Sequence, residues 1–196
     1  MRETGNIRKV EQTGADMIGF IFYPRSSRYV EEVPDYLPQH TKRVGVFVNE
    51  KIEAVQTTVT RFGLHCVQLH GEELPEFCWL LRQSNIGIIK TFPISHEKDL
   101  QAVSIYKGVC DYYLFDTKCD ERGGSGKSFD WSILNLYEGQ TPFLLSGGIS
   151  MESIEALKEF KHPRLAGIDI NSRFEVSPGM KDVKKIKNFL TKLSTQ

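Results

Sequence analysis

The residues whose types and spacing could do chemistry sit at the ends of short apolar runs. Asp116 closes Tyr-Tyr-Leu-Phe-Asp, a run otherwise aromatic or apolar. A carboxyl at the mouth of an apolar enclosure is expected to have a raised pKa, which suits a general acid. The competing expectation is an aspartate that caps the following loop. Arg28, in Tyr-Pro-Arg-Ser-Ser-Arg-Tyr-Val, follows another such run. A guanidinium there can grip a carboxylate with two parallel hydrogen bonds, or else stand in solvent as neighbouring Arg25 would. His70, in Val-Gln-Leu-His-Gly-Glu-Glu, precedes a glycine turn and either meets a ligand or bridges loops. His40, His65, His96 and His162 have no comparable placement.

Two further stretches offer backbone rather than side chains. Residues 143–150 read as a short buried strand, then Gly147 and Gly148, then Ser150 as N-cap of a helix from Met151. A strand ending in two glycines and opening into a helix leaves N–H groups bare and approachable by an anion; an ordinary tight turn is the alternative. In the second stretch, a strand over 168–170 is followed by Asn171, Ser172 and, three residues on, Glu175. Ser-x-x-Glu is a capping-box spacing and predicts a short helix from Ser172, ended by Ser177, Pro178 and Gly179. Its free N–H groups and dipole also favour an anion. Asp169 lies beside this stretch. Two such loops in consecutive strand–helix units match the phosphate grip of a (β/α) barrel.

The elements that must position these residues alternate along the chain. Strands are expected over 16–22, 43–48, 66–69, 87–91, 112–115, 143–145 and 168–170. Helices are expected over 3–12, 51–62, 74–83, 96–106 and 151–160, with a last one from Asp182 carrying Val183, Ile186, Leu190 and Leu193 on one stripe. Short apolar strands alternating with helices predict a parallel sheet covered on both faces. A doubly wound sheet and a barrel both fit this alternation. Polar residues at or shortly after the ends of many strands (Arg28, Asn49, His70, Asp116, Ser146, Asp169 to Asn171) favour the barrel, which gathers all such ends on one face. No G-x-G-x-x-G follows a strand. The stretch Thr-Lys-Cys-Asp-Glu-Arg-Gly-Gly-Ser-Gly-Lys-Ser-Phe-Asp-Trp after Asp116 reads as a glycine-rich lid; Glu121 stands where a P-loop needs its first glycine.

At 196 residues, a single domain over 1–196 is expected. Twenty-five basic and 25 acidic residues give zero net charge, no electrostatic ground for nucleic acid or a membrane surface. Cys66, Cys78, Cys110 and Cys119 lack zinc-site spacing and suggest reduced thiols in a cytoplasmic compartment. Met1 to Val10 has no apolar core of the kind a signal peptide needs, and no run reaches membrane-spanning length.

Taken together, six stretches in order resemble the phosphoribosylanthranilate isomerase family of tryptophan biosynthesis: residues 14–30, 43–49, 67–73, 115–131, 145–150 and 167–182. The resemblance implies a (β/α)8 TIM barrel performing an Amadori rearrangement of phosphoribosylanthranilate to carboxyphenylamino-deoxyribulose phosphate, without metal or organic cofactor, as a monomer or homodimer. It implies Asp116 as general acid, Arg28 on the anthranilate carboxylate, and Gly147, Gly148, Asn171 and Ser172 on the phosphate. His70 and Asp169 fall beside the substrate. Arg173 and Phe174 occupy places often smaller in the family, which implies a phosphate loop that closes differently here. The family's general base is a first-strand cysteine in a Lys-x-Cys-Gly-[Met/Ile/Leu]-[Thr/Arg] pattern, of which Met1-Arg2 matches only the end. That strand and cysteine are therefore expected upstream of Met1; Cys119 is a poor substitute. Two other readings stand beside this one. The first is a non-catalytic phosphate-ligand binder on the same barrel. The second is a phosphosugar enzyme such as indole-glycerol-phosphate synthase, which would want a strand-end lysine. Lys90 is the sole candidate for it, unless it is a barrel lysine paired to a carboxylate.

Overall fold

The structure is a computed structural model and describes residues 1–117 and 131–195. Seven strands form one parallel sheet: β1 (Met17–Ile21), β2 (Lys42–Phe47), β3 (Cys66–Leu69), β4 (Gly87–Ile94), β5 (Tyr112–Thr117), β6 (Phe143–Ser146) and β7 (Leu165–Ile168). Each pairs with the next in chain order. A doubly wound sheet reverses its order once. This one never does, so it curls as an α/β half-barrel with every strand's carboxyl end on one rim. Among the described residues β1 and β7 do not pair with each other. Met1 is buried against β1, its ammonium donating to the Gly19 carbonyl at 2.5 Å.

Strand alternation sets two layers of core. Val44, Cys66, Ile89 and Leu114 form a small cluster with Met17, Tyr112 and Leu144 against it. The intervening residues, among them Phe20, Val67, Leu69, Ile88, Tyr113, Phe115, Phe143 and Leu145, join the larger cluster under the helices. Successive side chains point to opposite faces, so the small cluster marks the concave face. Counting on by twos from it leads to Gln68 and His70, Thr91, Asp116 and Ser146.

The outer layer comprises α1 (Thr4–Glu11), α2 (Ile52–Phe62), α3 (Pro75–Arg82), α4 (Ile154–Glu159) and α5 (Val183–Ser194), with 3-10 helices at Glu97–Tyr106, Trp131–Leu136 and Met151–Ser153. Glu3 caps α1 by accepting from Gly5 N (2.9 Å) and Asn6 N. Asp182 caps α5 by accepting from Lys185 N at 3.0 Å. The segment expected as a helix over 96–106 is 3-10 throughout. Its apolar anchors Leu100, Val103 and Tyr106 recur every third residue, a spacing that three residues per turn lines up on one face. On α5 the buried stripe is Ile186 and Phe189, with Val183, Leu190 and Leu193 packed at its margin.

Two expectations at the chain's end need correction. The last strand begins at Leu165, not Ile168, because β7 meets β6 through a register shift that pairs Phe143 with Leu165 and Leu144 with Gly167. Ile170 lies beyond it. A short helix does begin at Ser172 as expected, but Ser172 is not its cap. Asn171 is the N-cap of a three-residue 3-10 turn, Ser172–Phe174, and Glu175 does not reach back to it. Instead Glu175 begins a hairpin, β8 (Glu175–Ser177) with β9 (Met180–Lys181).

A buried ion pair fastens the β3 loop. Lys90 and Glu73 approach to 3.2 Å, each side chain 3% exposed. Lys90 Nζ also donates to the Gly71 carbonyl at 2.7 Å, and the Glu73 carboxylate accepts from Asn49 N at 2.8 Å and Gly71 N at 3.0 Å. Removing one member of a buried pair strands the other charge. Lys90→Met should therefore lose about 3–5 kcal/mol, read as a lower urea midpoint at unchanged slope. Glu73→Gln in addition should recover part of it, and a single variant as stable as the parent would contradict this account.

Candidate functional site

Asp116 sits on the concave face of β5, paired across to Ser146 on β6. His70 follows β3, and its Nε2 lies 3.9 Å from Asp116 Oδ2. Both side chains stay partly open, His70 40% and Asp116 26% exposed, as groups that meet a ligand must. The Gln68 amide nitrogen reaches His70 Nδ1 at 3.1 Å and Thr91 Oγ1 at 3.3 Å. An amide nitrogen only donates, so Nδ1 accepts and the ring proton of a neutral His70 sits on Nε2, toward Asp116. Asp169 follows β7 and accepts from Ser146 Oγ at 3.1 Å. Burial raises its pKa, and the charge of Asp116 adds to this; Lys181 and the Ser146 hydrogen bond only partly offset them. Asp116, His70, Ser146 and Asp169 thus converge, as the strand-end reading expects.

The glycine turn after β6 is built for close approach. Gly147 and Gly148 have φ of 92° and 65°, values that favour glycine. A Cβ on Gly147 would lie 2.0 Å from the Thr117 carbonyl oxygen. The Thr117 hydroxyl donates to the Ser146 carbonyl at 2.8 Å and ties β5 to the same turn. Ser150 precedes the 3-10 helix as expected, its N–H donating to Ser153 Oγ at 3.0 Å. Asn171 and Ser172 are exposed at the end of the neighbouring strand. Because β6 and β7 are paired, the two loops share one stretch of rim. Phe174 is fully buried against Phe189, ring centroids 4.8 Å apart, and anchors the second loop.

Arg28 is already engaged. Its Nε lies 2.8 Å from Glu175 Oε2 and 3.1 Å from Oε1, and its Nη2 lies 2.6 Å from Oε2. Lys181 reaches the same carboxylate at 3.2 Å and donates to Asn171 Oδ1 at 2.7 Å and its carbonyl at 3.1 Å. Burial would raise the Glu175 pKa, but Arg28 and Lys181 outweigh it and hold the carboxyl below its ordinary value. Sequence reasoning missed both Glu175 and Lys181. The available signal was a Pro-Gly turn at 178–179 with opposite charges on its two flanks. Lys90 is the carboxylate-paired lysine, engaged by Glu73, rather than a free strand-end amine. The predicted lid, with Cys119, Gly123, Gly124 and Gly126, lies outside the described residues. Cys66, Cys78 and Cys110 are free and buried. Among the described residues no three His, Cys, Asp or Glu side chains group to hold a metal, and no helix is long and apolar enough to cross a membrane.

Residues 1–192 match the family described as N-(5'phosphoribosyl)anthranilate (PRA) isomerase. The chain belongs to that family. An N-(5'-phosphoribosyl)anthranilate isomerase of Phocaeicola vulgatus is 53% identical over 193 residues, covering 98% of this chain and 94% of that protein. The phosphoribosyl anthranilate isomerase of Thermotoga maritima superposes with a TM-score of 0.81 at 33% identity, covering all of both chains. An isomerase crystallised with reduced 1-(o-carboxyphenylamino)-1-deoxyribulose 5-phosphate superposes at 0.77 with 29% identity, again over the whole of both chains.

The raised pKa of Asp169 gives a signed expectation. Between the unfolded value, about 3.9, and the higher folded one, the folded chain holds a proton that the unfolded chain releases. Stability should fall as pH rises through that window. Asp169→Asn keeps an acceptor for Ser146 and should flatten that part of the pH–stability curve in urea titrations from pH 3.5 to 7. An unchanged slope would show that Asp169 is not the group responsible.

Proposed function

We propose that this chain is an N-(5'-phosphoribosyl)anthranilate isomerase of tryptophan biosynthesis, which converts its substrate by an Amadori rearrangement to 1-(2-carboxyphenylamino)-1-deoxyribulose 5-phosphate. The observation that carries the reading is Asp116, part-exposed on the concave rim beside His70, in a chain 53% identical to a named isomerase. In this reading the glycine turn of Gly147 and Gly148, with Asn171 and Ser172, holds the ribose phosphate through backbone N–H groups. Arg28 meets the anthranilate carboxylate. Asp116 donates its proton to the furanose oxygen, the C1′–O bond breaks, and the aniline nitrogen's lone pair forms the Schiff base. His70, its Nε2 3.9 Å from Asp116 Oδ2, lines the same side of the site. Loss of the C2′ proton then gives the enolamine, which tautomerises to the ketose. No step requires a metal or organic cofactor.

In the family's pattern the group that takes the C2′ proton is a cysteine. In this reading the seven-stranded sheet is the wall of a (β/α) barrel, one domain over 1–196. The protein acts in the cytoplasm as a monomer or homodimer.

Asp116→Asn should lower kcat by about 10²–10⁴-fold, with a far smaller change in KM. The measurement is the fluorescence of substrate consumption, made on the 196-residue chain. A variant as fast as its parent would remove Asp116 from the chemistry. Tight binding of the reduced product analogue with no turnover would favour the phosphate-ligand binder. That second reading draws on the burial of all three described cysteines.

A further inference from the structure

Glu175 and Lys181 link Arg28 to Asn171, the two residues proposed above to meet opposite ends of the substrate. They face each other across the β8–β9 hairpin, where Glu175 is the register partner of Lys181. Their side chains are 4% and 10% exposed. Lys181 has three ammonium protons and three oxygen partners: the Asn171 carbonyl, Asn171 Oδ1 and Glu175 Oε1, at 3.1, 2.7 and 3.2 Å. None is left for a phosphate. The Glu175 carboxylate accepts from Arg28 on both oxygens, from Lys181 and from Gly179 N at 3.2 Å. It is filled as well.

A saturated pair with no free valence is a part for holding, not for binding. Each partner holds one end of the site. Glu175 occupies Nε and Nη2 of Arg28, which fixes the plane of the guanidinium and leaves its remaining edge for a second carboxylate. Lys181 fixes the backbone and side chain of Asn171, the residue that opens the Ser172 turn. We infer that Glu175 and Lys181 are a positioning pair that couples the arginine grip on the substrate's aromatic carboxylate to the loop that takes its phosphate. This rests on the function proposed above and adds to it the distance standard: the pair sets how far apart the two anionic ends of the substrate are held.

The test compares the parent with Glu175→Gln, Lys181→Met and the double variant. Each single variant should raise KM about tenfold or more while kcat falls by less. Each should also weaken the reduced product analogue more than inorganic phosphate, because only the analogue spans both ends. The double variant should lose no more than the worse single one, since either change breaks the same link. Glu175→Asp, which keeps the charge, should recover part of the KM. Losses that add, or a lower thermal midpoint with KM and analogue affinity unchanged, would reduce the pair to a structural role and overturn the inference. Parent turnover is read first: a parent without it counts against the isomerase reading alone, and the analogue affinities then decide the coupling on their own.

Discussion

The site depends on one geometric constraint, the two-residue alternation of side chains along parallel strands. The concave face begins in a small apolar cluster, Val44, Cys66, Ile89 and Leu114. On β3 to β6 the first step of two residues toward the rim exchanges an apolar side chain for a polar one: Cys66 to Gln68 (and on to His70), Ile89 to Thr91, Leu114 to Asp116, Leu144 to Ser146; on β2 Val44 leads to Val46. The rim is polar because the apolar filling stops below it. A single-residue slip of β5 would turn Asp116 under the helices and Phe115 toward solvent. Phe115 is fully buried and packs on Phe143 with ring centroids 4.8 Å apart, so that slip is opposed by core packing as well as by the ladder.

The same rim shows how loops are kept in place without burying more apolar surface. Two Glu–Lys pairs do this on different flanks. Glu73 and Lys90 close the β3 loop through the N–H groups of Asn49 and Gly71 and the Gly71 carbonyl; Glu175 and Lys181 close the loop after β7 through Arg28 and Asn171. In both, each charge is met by several oriented partners. That is the condition under which a buried pair recovers its desolvation cost. An apolar pair of equal volume could fill either space without loss of stability, but it would leave the backbone groups of the loop unheld. Position, more than stability, is what these pairs supply. Asp169 shows the contrasting case: among the described residues it accepts a hydrogen bond from Ser146 and has no cation in contact, and burial raises its pKa.

How far the sequence foretold this follows from the range of each interaction. Apolar runs and their glycine ends are local, and they located six of the seven strands to within a few residues and placed the Gly147–Gly148 turn correctly. Asp116, His70 and Asp169 were recognisable as strand-end polar residues, because strand ends in a sequentially ordered sheet share a rim. The last strand was set three residues late because its register is fixed by a shift against β6, which local composition does not record. The three-residue spacing of Leu100, Val103 and Tyr106 was available, yet it separates a 3-10 helix from an α-helix only once the packed face is known. Glu175 is coupled to Ser172 by capping-box spacing. Its real partners are Arg28, 147 positions away, and Lys181 across a turn.

The turn itself explains why spacing misled. An undistorted hairpin about Pro178 and Gly179 pairs Ser177 with Met180 and then Val176 with Lys181. The register instead pairs Glu175 with Lys181, so Val176 is the extra residue of a bulge, 68% exposed and outside the pairing. A bulge turns the strand by one residue, and here that residue exchanges an apolar neighbour of Lys181 for a carboxylate. Without the bulge, Glu175 would lie on the other face of the hairpin, away from Arg28. One unpaired valine thus carries the connection between the two halves of the rim, a connection that no periodicity in the strand could have indicated.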